Sequence, residues 1–189
     1  YKDLKGYQKA FNDIALKVPK NGYIIANSEE KNMGPILKDC QAKIIKWKEK
    51  IKVKPGVPGE FNLMNATNAA TIGQILEIKE KSINEAIKKY TGSWRRMDYI
   101  RKKLGKTQFI DDYGHHPTEV RVTLAAIREK HPEDKILCVF QPHQHSRTKI
   151  LLKEFGHAFN SVDQVIIPNI YQVRDSEEVV KSINVDDLV

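Results

Sequence analysis

Residues 107–130 read TQFIDDYGHHPTEVRVTLAAIREK. Thr107–Asp111 predicts a strand and Pro117–Lys130 a helix, with a polar turn, Asp112-Tyr113-Gly114-His115-His116, between them. Downstream the same alternation repeats. Ile136–Phe140 is an apolar strand, Thr148–Ala158 a helix and Gln164–Ile167 another strand. A β-α-β-α-β order implies α/β architecture with a parallel, doubly wound sheet, because each crossover returns the next strand in the same direction. In such sheets ligands sit beyond the carboxyl ends of the strands. The polar clusters lie there: Asp111–Pro117 after the first strand, and Gln141-Pro142-His143-Gln144-His145-Ser146-Arg147-Thr148 after the second.

The preceding half has a different texture. Residues 3–17 predict an amphipathic helix with Leu4, Tyr7, Phe11, Ile14 and Ala15 on one face. Asn21-Gly22 is a turn before a short buried strand, Tyr23–Ala26, and 33–40 predicts a short helix. From Lys46 to Lys54 lysines alternate with Trp47, Glu49, Ile51 and Val53, a period of two that predicts a strand. Pro55-Gly56-Val57-Pro58-Gly59 ends it. A long helix follows over Phe61–Glu77, then another over Ile83–Lys89, with Ser82 and Glu85 as a capping box. Thr91-Gly92 stops that helix. A domain boundary near residue 90 divides the chain into 1–89 and 90–189.

Hydrophobic residues make up 40% and charged residues 30%, a globular balance. No apolar run approaches the roughly 20 residues of a membrane span, so no membrane partner is expected. Cys40 and Cys138 lie far apart, without metal-ligand spacing, and read as reduced thiols of a cytoplasmic protein. Residues 1–106 hold 23 Lys+Arg against 11 Asp+Glu, and residues 107–189 hold 9 against 13. A basic half favours polyanions, nucleic acid or a nucleotide's phosphates. No nucleic-acid-binding motif accompanies it, so the lysines read as solvated surface and no nucleic-acid partner is expected.

Four of the six histidines, His115, His116, His143 and His145, fall in the two strand-end loops beside Asp111, Asp112 and Arg147. The residue types fit three chemistries: a His/Asp metal site, acid–base catalysis, or recognition of a carboxylate or phosphate. Adjacent histidines such as His115-His116 rarely bind one metal from a loop, so no metal-binding residue is assigned. His131 and His157 fall at predicted helix ends and read as structural. Asn62 and Asn65, three apart on a helix, can present paired amides to a planar heterocycle. Arg95-Arg96 lies at the boundary, where a guanidinium can reach a phosphate.

Together these segments resemble the Mur ligase family. Pro58–Ala66 (PGEFNLMNA) resembles its G-x-H-N-x-x-N-A element, and Tyr90–Asp98 (YTGSWRRMD) its F-x-G-x-x-R-R-x-E/D hinge. Asp111–Glu119 (DDYGHHPTE) is similar to the opening of the third domain in the alanine-adding branch. Phe140–Thr148 (FQPHQHSRT) is similar to that branch's F-Q-P-H-R-Y-T-R-T loop. The resemblance covers the whole chain and implies the distal part of a central ATPase-like domain followed by an incomplete, mostly parallel, Rossmann-like C-terminal domain.

The activity implied is an ATP- and Mg2+-dependent ligase of peptidoglycan synthesis, joining L-alanine to the carboxylate of UDP-N-acetylmuramate through an acyl phosphate. Asn62 and Asn65 are implied to contact adenine, Asp112 the ribose hydroxyls and Arg96 the phosphates. Tyr113, His115, His116, His143 and Arg147 are implied to form the amino-acid side, with Arg147 on the L-alanine carboxylate. Arg96, His115 and Arg147 are the implied catalytic residues.

The family histidine before the first Asn is Phe61 here, so polar recognition there is lost or replaced by stacking. The loop's Arg and Tyr are Gln144 and His145. No G-x-x-G-K-[ST] phosphate loop occurs, and the family's magnesium-binding Glu and His fall before Tyr1. The expectation is that these residues alone are inactive and bind ATP poorly. One alternative is a related ligase that recycles muramyl peptides, whose loop reads more like E-P-R-S-N-T. Others are a metal-dependent hydrolase using Asp111, His115, His143 and His145, and a basic nucleic-acid-binding protein.

Overall fold

A computed structural model describes residues 3–27, 30–47 and 51–188, with backbone alone for 101–103. The chain forms two compact units, one from residues 1–54 and 63–88, the other from 55–62 and 89–189.

In the first unit, α1 (Leu4–Ala15) starts where Asp3 accepts from the Gly6 N–H at 2.7 Å, an N-cap that uses one of the helix's orphan donors. Its Asn12 amide donates to the carbonyls of Ile36 and Lys38 at 2.9 and 2.8 Å, tying it to α2 (Met33–Leu37). The predicted apolar face is present but stands open: Leu4, Tyr7, Phe11 and Ile14 are all exposed, and only Ala15 is buried. β1 (Tyr23–Asn27) pairs in parallel with β2 (Lys43–Trp47), Tyr23 opposite Lys43 and Asn27 opposite Trp47.

The strand predicted at 46–54 is therefore displaced towards the N-terminus. Residues 48–50 lie outside the described set, and 51–54 form no strand. The alternation there has another cause. Ile51 and Val53 pack on the cluster of Ala70, Ile83 and Ile87 from the following helices, and the Ile51 N–H donates to the Thr67 hydroxyl at 3.2 Å. Those helices are α3 (Glu60–Ile75) and α4 (Glu80–Lys89). α4 begins before the predicted cap at Ser82, and the Ser82 N–H instead bonds the Lys79 carbonyl at 2.9 Å. The two helices approach closely at Gly73, where a Cβ would stand 2.8 Å from the Ile83 side chain.

The second unit opens with a hairpin that the sequence reading missed. β3 (Asp98–Leu104) pairs antiparallel with β4 (Thr107–Asp111), Tyr99 opposite Ile110, around Gly105 at φ 60°. α5 (Pro117–Lys130) follows, then β5 (Leu137–Val139). The helix predicted at 148–158 begins earlier and breaks at Leu151, giving α6 (His145–Ile150) and α7 (Leu152–Gly156). β6 (Gln164–Ile166) pairs in parallel with β5, and α8 (Glu177–Val180) is capped by Ser176.

The β5–β6 pair has the expected direction. β4 is bonded to β3 and makes no ladder with β5. A cavity of about 640 Å³ lies between β4 and β5, lined by Phe109, Ile110, Leu124, Ile136, Cys138 and Phe140. Burial pushes the Cys138 thiol up to about 11. The core of this unit joins Val120, Leu124, Ala126 and Ile127 of α5 to Met97, Phe140, Phe155 and Ala158.

Arg128 fastens the end of α5 to the starts of β5 and β6. Its guanidinium donates to the Asp134 carbonyl at 2.7 Å, the Ser161 carbonyl at 3.1 Å and the Asp163 carboxylate at 2.7 Å. The Ile136 N–H and then Arg128 hold the Asp163 carboxyl below its usual range. A carboxyl with a depressed folded value stabilises the fold above its unfolded value, about 4, and loses that contribution as pH falls through the folded value. Asp163→Asn is expected to lower the urea midpoint at neutral pH and to converge with the wild type in strong acid. A constant gap across that range would count against the role.

Candidate active site

β3 and β4 deliver one group of polar side chains, and the start of α5 holds them. Arg95 and Met97 both take left-handed backbone, φ 53° and 49°, a conformation that costs non-glycine residues of order 1 kcal/mol or more and concentrates at functional turns. The Arg95 guanidinium donates to the Asp111 carboxylate at 3.1 Å and lies 5.1 Å from the Tyr113 ring centroid. Arg96 lies 5.7 Å from the same ring. Both Asp112 oxygens are engaged, Oδ2 by the Met97 N–H at 2.9 Å and Oδ1 by the Gly114 N–H at 2.7 Å.

His115 and His116 serve different ends. The His116 ring accepts from the Thr118 N–H at 3.2 Å, and Glu119 accepts from the His116 N–H at 3.3 Å, a capping box with histidine in the place of Ser or Thr. The His115 N–H also donates to Glu119, at 3.0 Å, and its ring Nδ1 lies 3.2 Å from the Tyr113 carbonyl. A carbonyl can only accept, so Nδ1 carries the hydrogen of the neutral ring and Nε2 presents the lone pair. Burial pushes the Glu119 carboxyl up, but the N–H groups of His115 and His116 and the nearby Arg96 guanidinium outweigh it and leave it lowered.

The second loop is built differently. His143 stacks on Tyr171, ring centroids 5.2 Å apart. Gln144 stands at φ 79°, its N–H bonded to the Tyr171 carbonyl at 2.9 Å. His145 is buried, and Arg147 is half-buried on α6. Thr148, 1% exposed, returns its hydroxyl to the Gln144 carbonyl at 2.9 Å. Among the described residues, no hydrogen bond, ion pair or ring contact joins this loop to the first.

Asn62 and Asn65 both lie on α3. The Asn62 amide donates to the Pro58 carbonyl at 2.6 Å, and Asn65 is exposed. Phe61 packs on the apolar core of the second unit, beside Ala126, under a Gly59 whose φ of 99° and close neighbours admit no side chain. Its ring is a packing element there.

Among the described residues, no three His, Cys, Asp or Glu side chains cluster to hold a metal ion, and no helix is long and apolar enough to cross a membrane. The hydrolase alternative has no geometry in its favour: Asp111 pairs with Arg95, and His143 with Tyr171.

Sequence reasoning overlooked Glu119 and Asp175 as parts of this region. Glu119 carried a local signal, an acid three residues after the capping His116. Asp175 carried none, since its contact to His145 spans 30 residues.

Residues 95–187 match the family model described as Mur ligase, glutamate ligase domain. The chain is 36% identical, over 94% of its own length, to UDP-N-acetylmuramate--L-alanine ligase of Clostridium botulinum, and 32% identical, over 100%, to that of Clostridium acetobutylicum. It spans 44% and 47% of those relatives, about half of their length. The fold matches the solved UDP-N-acetylmuramate-alanine ligase of Thermotoga maritima with a TM-score of 0.66 at 20% identity, covering 96% of this chain and 44% of that one. A murein peptide ligase of Psychrobacter arcticus matches at 0.62 and 19%, covering 88% and 41%. Family model and relatives agree on the assignment: residues 95–187 form a domain of the Mur ligase family.

Proposed function

We propose that this chain is the distal part of a cytoplasmic, ATP-dependent ligase that joins L-alanine to the carboxylate of UDP-N-acetylmuramate in peptidoglycan synthesis. Residues 1–89 belong to its central ATP-binding domain and 90–189 to its C-terminal domain. The observation that carries the reading is the similarity of 94–100% of the chain to relatives named for that reaction.

ATP supplies the phosphoryl group that turns the sugar's carboxylate into an acyl phosphate with ADP as leaving group. The residues here bind, orient and move a proton. Arg96 offers an exposed guanidinium to phosphate oxygens. Asp112 keeps unused lone pairs for ribose hydroxyls, since a carboxylate accepts about four hydrogen bonds and two are taken. Asn62 and Asn65 contribute amides for adenine. Arg147 grips the carboxylate of L-alanine through a two-pronged contact, with Tyr113, His116 and His143 bounding the amino-acid side. The Nε2 lone pair of His115 takes a proton from the alanine ammonium, and the amine then attacks the acyl carbon and releases phosphate. Mg2+, which the family implies, has no ligand cluster among the described residues.

The test is phosphate release by the complete reading frame with Mg-ATP, UDP-N-acetylmuramate and single amino acids. Release that needs both the sugar acid and L-alanine is the expected result. Release driven instead by a free peptide would turn the assignment to the peptide-recycling branch.

A further inference from the structure

α6 begins on a turn that is held from far along the chain. The Asp175 side chain is 3% exposed, and its Oδ2 accepts from the His145 N–H at 2.7 Å. The Ser146 side chain foremost, then the His145 and Ser146 N–H groups and the Gln144 side chain, hold its carboxyl below the usual range against the burial that pushes it up. The turn needs such a tether. Gln144 stands in left-handed backbone at φ 79°, a conformation that persists in non-glycine residues only where neighbours over-determine it.

His145 supplies a second contact. Its side chain is 10% exposed, and its Nδ1 is buried without a hydrogen-bond partner, 3.8 Å from Asp175 Oδ2. That separation is longer than a hydrogen bond, but the carboxylate is the acceptor towards which this nitrogen can close. Asp175 is spent on the turn's donors, and Arg147, two residues further on, forms no salt bridge among the described residues. The half-buried guanidinium is therefore not neutralised by a carboxylate among the described residues.

We propose that Asp175, through its bond to the His145 N–H, is the positioning residue for Arg147, locking the strained 144–146 turn so that the guanidinium is already aimed at an incoming carboxylate. This rests on the reading of Arg147 as the amino-acid clamp given above.

The test uses the full-length enzyme with Asp175→Asn and Asp175→Ala. For Asp175→Asn the KM for L-alanine is expected to rise about tenfold or more, the scale of a lost charge-assisted hydrogen bond, with the KM values for ATP and UDP-N-acetylmuramate nearly unchanged. Amide exchange over 141–150 should quicken. In an Arg147→Ala background, Asp175→Asn should add little, because both changes remove the same contact. Equal rises of all three KM values, additive effects, or unchanged exchange over 141–150 would each overturn the proposal. Phosphate release by the wild type that ignores the amino acid would instead overturn the ligase reading, and exchange over 141–150 would still judge the tether.

Discussion

Replacing Arg147, the proposed clamp on the L-alanine carboxylate, by alanine in the full-length protein is expected to raise the KM for L-alanine by about 30- to 1,000-fold, corresponding to roughly 2–4 kcal/mol for removing one partner of a hydrogen-bonded charge pair. The physical basis is the absence of any salt bridge to this half-buried guanidinium among the described residues, which leaves its donors for a ligand. Arg147→Lys keeps the charge but loses the planar fork, and should fall between wild type and alanine. The KM for ATP should stay put in both. Steady-state phosphate release with each substrate varied in turn separates these outcomes. An unchanged alanine KM in Arg147→Ala would remove this residue from the proposed amino-acid site.

The largest stability effect is expected at Phe155. Its side chain is 1% exposed and its ring centroid lies 5.4 Å from that of Phe140, which in turn meets Phe159 at 5.4 Å. Truncation to alanine removes the ring from a core drawn from α5, β5 and α7 and leaves a cavity behind. The expected cost is about 3–5 kcal/mol, or a fall in Tm of roughly 15 °C for a unit of this size. Phe155→Leu, which keeps much of the volume, should cost less than half as much. Chemical denaturation followed by circular dichroism measures both. A loss below about 1 kcal/mol for Phe155→Ala, against the cost that core truncations carry, would mean that the ring is not central to this core.

The sequence was legible where local chemistry and long-range packing agree. Pro117–Lys130 was recovered residue for residue, because the polar DDYGHH turn and the apolar periodicity point the same way. The parallel direction of β5 and β6 followed from the crossover between them. It was illegible where tertiary contacts decide. The run from 46 to 54 alternates like a strand, yet Ile51 and Val53 alternate because they pack on helices. Tyr99–Leu104, rich in lysine, gave no strand signal and became β3 only because β4 pairs with it. The four apolar residues of α1 showed their periodicity correctly, but periodicity says nothing of what covers a face. In the site, residue types pointed to both loops, and Arg95–Asp111 and His145–Asp175 appeared only with the fold.

Glu119 illustrates a constraint on how this region can change. One oxygen accepts from the N–H groups of both His115 and His116, at 3.0 and 3.3 Å, and lies 3.6 Å from the His115 ring. The atom that starts α5 thus also sets the charge felt by the proposed proton acceptor. A substitution that takes the acceptor away, such as Glu119→Ala, leaves both N–H groups without their partner and removes the charge beside the imidazole in the same step. Drift at this position is therefore free only along changes that satisfy both demands at once, which narrows the neutral paths open to the loop far more than its surface location suggests.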